Sequence, residues 1–461
     1  MDKDTTARIS FARNNCFVDT GEAIRVSGTV LSKIKKEEMK VRKYLVILLA
    51  LTMAISVMSG CSGSDDTTTV ASEQTVAESD ADDAQGESED AAELTLEEKI
   101  AEAAQMSNEE LYEKAKEESG TMMVYSTTSL CETALNNFLA EYPGLSAQYS
   151  SVGEADMFTK LTTEIGTSAE GADMVLLQNA YRMENELISE GKLLNYFPEM
   201  YADVVDAQYQ NPTVMCFSPK LFLYNNTGGE LDLNNVWQLT EEEYKGKIFF
   251  KDPSTEPVGM NFLVMLTGDE WAAKLADAYK EYYGEEWSAD SGFTNAGYEF
   301  LDGFLANCNY TYAADGGIAE GVSTGAAGNV GLFVFSKLRS DSVTRENLNV
   351  AAYYANDGKG LTGFSGFMYP TYAQLCADTD MPYTSCLFIN WILSEEGFSA
   401  WNNSSNMGVY SPNTSIALVP DDTGLDREIT YWLDCLVIED GAVVAEKYPE
   451  AYEFISLRLN Q

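Results

Sequence analysis

Hydrophobic positions along this chain follow two alternating rhythms. Short apolar runs of strand length are separated by stretches in which apolar residues recur every three or four positions. Ser107-Asn108-Glu109-Glu110 has capping-box spacing, Leu111 and Ala115 continue a helical face, and Gly120 supplies a stop. Met122-Met123-Val124-Tyr125-Ser126 then reads as a buried strand, as do Leu145 to Ser150 and Ala172 to Leu177. Between these runs, Ala134, Phe138 and Leu139 share one helical face, ended by Pro143-Gly144, and Met157, Leu161 and Ile165 share the next. Strand and helix therefore alternate three times, which predicts an α/β fold with a parallel sheet covered on both faces.

The pattern restarts further on. Leu221 to Asn226 reads as a strand leading into Gly228-Gly229, and Lys247-Ile248-Phe249-Phe250 as another. A loop from Lys251 to Gly259 precedes a helix over Met260–Leu266, and further helices fit Glu270–Tyr283 and Thr294–Cys308. Strands over Val330–Phe335 and Asn349–Tyr354 follow, so a second α/β lobe is the economical reading.

The front of the chain has a different pattern. Lys40, Arg42 and Lys43 precede an apolar run from Tyr44 to Val57, closed by Met58-Ser59-Gly60-Cys61. A charged start, a short apolar stretch and small residues at the exit make an export signal, and the run is too short for a stable membrane span. The last four residues resemble the lipobox of bacterial lipoproteins, which implies a signal peptide over 39–60 and a lipid on Cys61. Residues 1–38 show no sustained period, and Lys36-Glu37-Glu38 is what a purine-rich ribosome-binding site encodes, so they read as an over-long gene start. A cytoplasmic tail is the other reading. Ser62 to Glu98 holds 13 acidic groups, no basic group and no aromatic. Such a segment cannot bury enough surface to offset its ordering entropy, and 61–104 is expected to be a lipidated cysteine with a disordered acidic tether.

Composition narrows the function. Of 461 residues, roughly 360 remain beyond the signal and tether, enough for two cores. The chain carries 29 Lys+Arg against 73 Asp+Glu, a net charge of −44. So negative a surface repels nucleic acid and anionic lipid. Histidine is absent, which removes the commonest general base and the commonest transition-metal ligand. The eight cysteines form no CxxC pair, and those of the body sit among apolar neighbours, as small core residues or an occasional disulfide.

In an α/β sheet of this kind, ligands bind at the carboxyl ends of the strands. Those ends carry Tyr125, Ser126, Thr127 and Thr128 in the first loop and Gln178 and Asn179 in the third, all neutral hydrogen-bonding groups before helices. Each loop taken alone is also ordinary helix capping. In the second lobe, Asp252, Ser254 and Thr255 precede a helix and join the candidate ligand-binding set. No catalytic residue, metal ligand or cofactor is assigned.

The order of these signals resembles the extracellular solute-binding proteins of bacterial ABC importers, in the branch that takes ferric iron, phosphonates, sugar phosphates and polyamines. The stretches that carry the resemblance are Leu111 to Gly120 with Val124-Tyr125-Ser126, Phe138 to Pro143, Ala172 to Val175, Tyr224-Asn225-Asn226 before Trp237, Gly246-Lys247-Ile248 with Asp252-Pro253, and Phe388 to Gly397. The resemblance implies the type II periplasmic-binding fold, with two doubly wound lobes joined by crossing strands and closing on a solute. It places lobe 1 over 105–222 and 350–400, and lobe 2 with the C-terminal helices over 223–349 and 401–461. It further implies an ABC permease and ATPase as partners, and attachment to the cell membrane on its extracytoplasmic side through the lipid on Cys61. Ferric members carry adjacent tyrosines where this chain has Phe333 and Phe335, and Tyr353-Tyr354 falls one strand late. Phenylalanine cannot ligate iron, so the expectation is a small organic solute.

An exported carboxylate-dependent hydrolase of glycosidase type is the alternative, because acids abound and histidine is missing. Gly363-Phe364-Ser365-Gly366-Phe367 fails the GxSxG pattern at its last position.

Overall fold

Two capping boxes in succession open the folded chain. Thr95 and Glu98 bond reciprocally at the start of α1 (Leu96–Ala103), and Ser107 and Glu110 do the same at α2 (Asn108–Ala115). The computed structural model describes residues 94–167 and 170–460. The segments expected to be an over-long start, an export signal with Cys61 and a tether lie, up to residue 93, outside the described residues. Regular structure thus begins earlier than the pattern near Ser107 predicts. The first helix offers the core only Ile100 and Ala103, too short a stripe to stand out in acidic sequence.

The chain continues through β1 (Met122–Ser126), α3 (Leu130–Glu141), β2 (Ala147–Ser151), α4 (Glu154–Glu164) and β3 (Met174–Leu177). β1 pairs with β2 and with β3, both in parallel, as the repeated strand–helix alternation predicts. After the short β4 (Leu193–Leu194) comes a 12-residue strand, β5 (Val214–Asn225). The second half holds β6 (Ile248–Phe249), α5 (Pro257–Met265), α6 (Asp269–Tyr283), α7 (Ala296–Asn307), β7 (Cys308–Asn309), α8 (Asp315–Thr324), β8 (Val330–Val334) and β9 (Leu348–Val350). The chain then returns through β10 (Gly366–Cys376), α9 (Pro382–Ile392), α10 (Ile429–Cys435), β11 (Val437–Ile438) and α11 (Gly441–Leu459).

The eleven strands among the described residues form one sheet, with the path β2-β1-β3-β10-β5-β8-β6-β7. The antiparallel pair β5 and β10 lies at its centre, with the parallel strands of the first half on one side and those of the second on the other. The sequence pattern does not show β10, because Pro370 interrupts its run and proline cannot donate to a ladder. Pro370 is tolerated because its partner Phe217 exchanges both backbone hydrogen bonds with Tyr410, at 2.8 and 2.9 Å. Gly366 at the start of β10 has φ 141°, and a Cβ there would lie 2.2 Å from the Lys220 carbonyl oxygen. Only glycine allows the two central strands to approach this closely.

Three hydrophobic clusters cover this sheet. Leu111, Phe138 and Phe388 pack α2, α3 and α9 over one face of the first half, while Phe158 and Leu161 of α4 lie in the cluster on its other face. In the second half Trp237 is the anchor. Its indole donates to the Leu275 carbonyl at 2.9 Å, and its ring meets Tyr279 and Phe300 edge-on. The C-terminal α11 packs on α5 and α7 and also reaches the first half, where Tyr448 stacks on Tyr181 with ring centroids 3.8 Å apart. All six cysteines among the described residues are free thiols.

Candidate binding site at the central strands

The middle of β5 carries a charged residue inside an otherwise apolar strand. Lys220 is 1% exposed, and its ammonium donates to Glu256 Oε1 at 2.7 Å and lies 3.4 Å from Asp315 Oδ1. Glu256 is the N-cap of α5, and Asp315 opens α8, so both carboxylates sit at helix N-termini. Lys251 joins the same two carboxylates at 3.3 and 3.5 Å. Burial alone would lower the Lys220 pKa, but Glu256 and Asp315 outweigh it and hold the ammonium above its usual range. Burial likewise works against the Asp315 carboxylate, yet Lys220, Lys251 and the Val334 amide hold it below its usual range. The result is a closed square of two cations and two anions.

Beside this square lies a second group with different electrostatics. Glu439, just after β11, accepts a 3.4 Å hydrogen bond from the Asn261 side chain, and its backbone amide donates to Met368 of β10 at 2.9 Å. Burial pushes the Glu439 carboxyl up to about 8, with Glu154 and Glu256 adding to the effect. Glu154, the first residue of α4, is pushed up to about 7 by burial and by Glu256, against the pull of Lys251, Lys220 and Arg182. Among the described residues, Glu154 Oε1, Glu439 Oε2, Asn261 Oδ1 and Asn179 Nδ2 are buried without hydrogen-bond partners. Tyr369 and Tyr372 of β10 face the same layer. Burial first, then Asp315 and Glu256 for Tyr369 and Glu439 and Asp440 for Tyr372, keep both phenols well above their usual range and therefore neutral.

The residues expected from sequence fall into three environments. Gln178 and Asn179 lie at the end of β3, beside β10. Gln178 donates to Thr371 Oγ1 of β10 at 3.4 Å, and Asn179, 2% exposed with φ 66°, accepts from the Arg182 amide at 3.3 Å. The first loop is spent on local structure: Tyr125 donates to Glu164 Oε2 at 3.0 Å, Ser126 accepts from the Thr128 amide, and Thr128 accepts from the Leu130 amide. Thr127 is exposed. In the third environment, Asp252 Oδ1 accepts from the Ser254 amide and hydroxyl, and the Asp252 carbonyl accepts from Thr255, which closes an exposed turn on itself. It is the ends of that loop, Lys251 and Glu256, that enter the charged layer. Tyr353 and Tyr354 do not act as a pair, since Tyr353 donates to the Leu425 carbonyl and Tyr354 is exposed. Phe333 and Phe335 are fully buried.

Sequence reasoning missed Glu154, Lys220, Glu256, Asn261, Asp315, Tyr369 and Glu439. One signal was available: a lysine inside the run Val214-Met215-Cys216-Phe217-Ser218-Pro219-Lys220-Leu221-Phe222-Leu223 needs a buried partner. The partners themselves lie 36 and 95 positions away, so no local spacing reveals them.

No protein-family model matches the chain, and no curated protein matches it. Solved structures do. A ferric binding protein from Campylobacter jejuni superposes with a TM-score of 0.53 at 15% identity, covering 73% of this chain and 99% of that one. Iron-bound HitA from Pseudomonas aeruginosa gives a TM-score of 0.53 at 15% identity, covering 74% and 99%. The chain has the periplasmic-binding-protein fold. A third structure, the periplasmic binding protein AfuA from Actinobacillus pleuropneumoniae with fructose-6-phosphate bound, gives 0.52 at 15% identity, covering 74% and 99%. One fold thus holds iron in one solved structure and a sugar phosphate in another, so the fold by itself does not fix what is bound.

Proposed function

We propose that the chain is an extracytoplasmic solute-binding protein, lipid-anchored through Cys61, which captures a small solute and delivers it to an ABC permease and its ATPase. The carrying observation is the layer of buried charges and unpartnered polar atoms over β5 and β10, to which both halves of the sheet contribute. Buried polar groups are normally hydrogen-bonded, and a cluster of exceptions at the junction of two halves is where a solute would supply the missing partners. The binding-protein fold supports the same reading.

Within it, lobe 1 corresponds to 105–222 and 350–400, and lobe 2 with the C-terminal helices to 223–349 and 401–461. β5 and β10 would be the connecting strands, and the export signal with the acidic tether would hold the body outside the membrane. Gln178 and Asn179 are the sequence-derived residues in direct reach of the solute, while Tyr125, Ser126, Thr127, Thr128, Asp252, Ser254 and Thr255 shape the loops around it.

The raised pKa values of Glu154 and Glu439 favour one second reading, a carboxylate-dependent hydrolase with one of them as general acid. That chemistry also needs an ionised carboxylate free to act. Asp315 is ionised but is held by two lysines and a backbone amide. A thermal-shift panel of sugars, sugar phosphates, amines, phosphonates and ferric citrate should give one large stabilisation. Steady turnover of a glycoside, without stabilisation by any solute, would favour the hydrolase instead.

A further inference from the structure

We propose that the C-terminal helix α11 is a strap that closes the two halves of the sheet over the charged layer, with Tyr448 stacked on Tyr181 as its fastening. The inference rests on the solute-binding reading above, which needs a way into that layer, and adds the part that moves. Lys220, Asn261, Asn179 and Glu439 are all buried. A solute reaches such side chains after a covering element has shifted. The central strands cannot be that element, because their ladder and the close approach at Gly366 hold β5 and β10 together.

The strap is fixed to the second half along its length. Val444, Ala451 and Ile455 are fully buried in the cluster around Trp237, and a Cβ added at Gly268 would lie 2.9 Å from Val443. Phe454 meets Tyr298 edge-on with ring centroids 5.0 Å apart, and Arg458 donates to Asp302 of α7. Its contacts with the first half are of another kind. Gly441, the first residue of α11, sits against Ala180: a Cβ there would lie 3.2 Å from the Ala180 Cβ and 4.0 Å from the Tyr372 hydroxyl. Two turns on, the rings of Tyr448 and Tyr181 lie 3.8 Å apart and 8° from parallel, and Tyr452 continues the stack at 5.4 Å. Two flat, half-buried rings do not interlock, so they can part and re-form as a unit.

The first-half side of this contact departs from regular structure at the same place. Ala180 and Tyr181 follow directly on Gln178 and Asn179 at the end of β3. Asn179 is left-handed, with φ 66° and ψ 72°, a conformation that costs a non-glycine residue energy. The helix beyond it takes π-helical pitch over Met183–Ile188, and the Ser189 amide donates to the Glu184 carbonyl five positions back. Such turns are rare and occur frequently at functional sites. Tyr181 packs against the second half's cluster although its own helix follows the first half's strand β3. Two residues before it, Asn179 keeps its buried Nδ2 without a partner. A solute that bonds Asn179 and a strap that holds Tyr181 therefore act on the same few residues.

The test is hydrogen exchange on the full chain without solute, read by mass over residues 179–188 and 439–448. Tyr448→Ala and Tyr181→Ala should each speed exchange in both segments roughly three- to tenfold, which is what one aromatic pair is worth in an opening equilibrium. Tyr448→Phe keeps the ring and should match the parent chain. The double alanine variant should be no faster than either single one, because the stack is lost once. Tyr452→Ala leaves the Tyr181–Tyr448 pair in place and should keep 179–188 at the parent rate. For access to the layer itself, the thiol of Asn261→Cys should be alkylated by iodoacetamide roughly three- to tenfold faster once Tyr448→Ala is added. If Tyr448→Ala loosens α11 and α5 while 179–188 and that thiol keep their rates, or if the two alanine effects multiply, the strap falls and the solute-binding reading stands. If the strap behaves as stated and no compound of the thermal-shift panel binds, the solute-binding reading falls alone.

Discussion

At the scale of single residues, the site is governed by what burial does to charge. Lys220 is inaccessible to solvent and is stable there only because two carboxylates surround it. Lys220→Met would leave Glu256 and Asp315 buried with Lys251 alone, and should cost about 3–5 kcal/mol in denaturant unfolding. Neutralising Glu256 and Asp315 in the same chain should recover most of that loss. Glu439 behaves in the opposite sense. Its folded pKa of about 8 lies above the ordinary carboxyl value of 4.5, so the folded state binds the proton more tightly than the unfolded one. Its contribution is fully present below about 4.5 and is lost as pH rises through about 8. The melting temperature of the ligand-free chain should accordingly fall more steeply over that window than that of Glu439→Gln.

At the scale of elements, the two central strands decide where the site can be. Each carries a proline, Pro219 in β5 and Pro370 in β10, and each is nonetheless buried along nearly its whole length. Their close approach depends on Gly366. Gly366→Ala would set a Cβ against the Lys220 carbonyl in a backbone conformation closed to L side chains, and should destabilise the fold by about 3 kcal/mol. Hydrogen exchange in β5 and β10 should report the loss before it appears in α2 or α3. From α2 onward the α-helices up to β3 were legible in sequence, because an apolar stripe and, at α2, a capping box are local signals. β10 was not, because its defining feature is that Phe217 takes its hydrogen bonds from Tyr410 rather than from Pro370, a contact between residues 193 positions apart.

At the scale of the whole molecule, the proposed role rests on the fold together with the export segment expected from the sequence. If Cys61 carries a lipid, the chain should sediment with membranes, and Cys61→Ser should release it to the soluble extracytoplasmic fraction with solute affinity unchanged. That combination separates anchoring from binding, since Cys61 lies 33 positions before the first described residue. A chain with a net charge this negative is repelled by anionic lipid, so under the proposed role it is the lipid rather than the surface that would hold it at the membrane.

The sequence by itself determined the α/β class and the strand end at Gln178 and Asn179, because periodicity and capping are properties of neighbouring residues. It also restricted the chemistry, since a chain without histidine has no imidazole to serve as a base or a metal ligand. Only the tertiary structure decided which of the 73 acidic residues matter. Glu154, Glu256, Asp315 and Glu439 look like any other acids in the sequence, and what sets them apart is burial against Lys220, Tyr369 and one another. Burial is a property of the packed sheet, and no segment of the chain carries it alone.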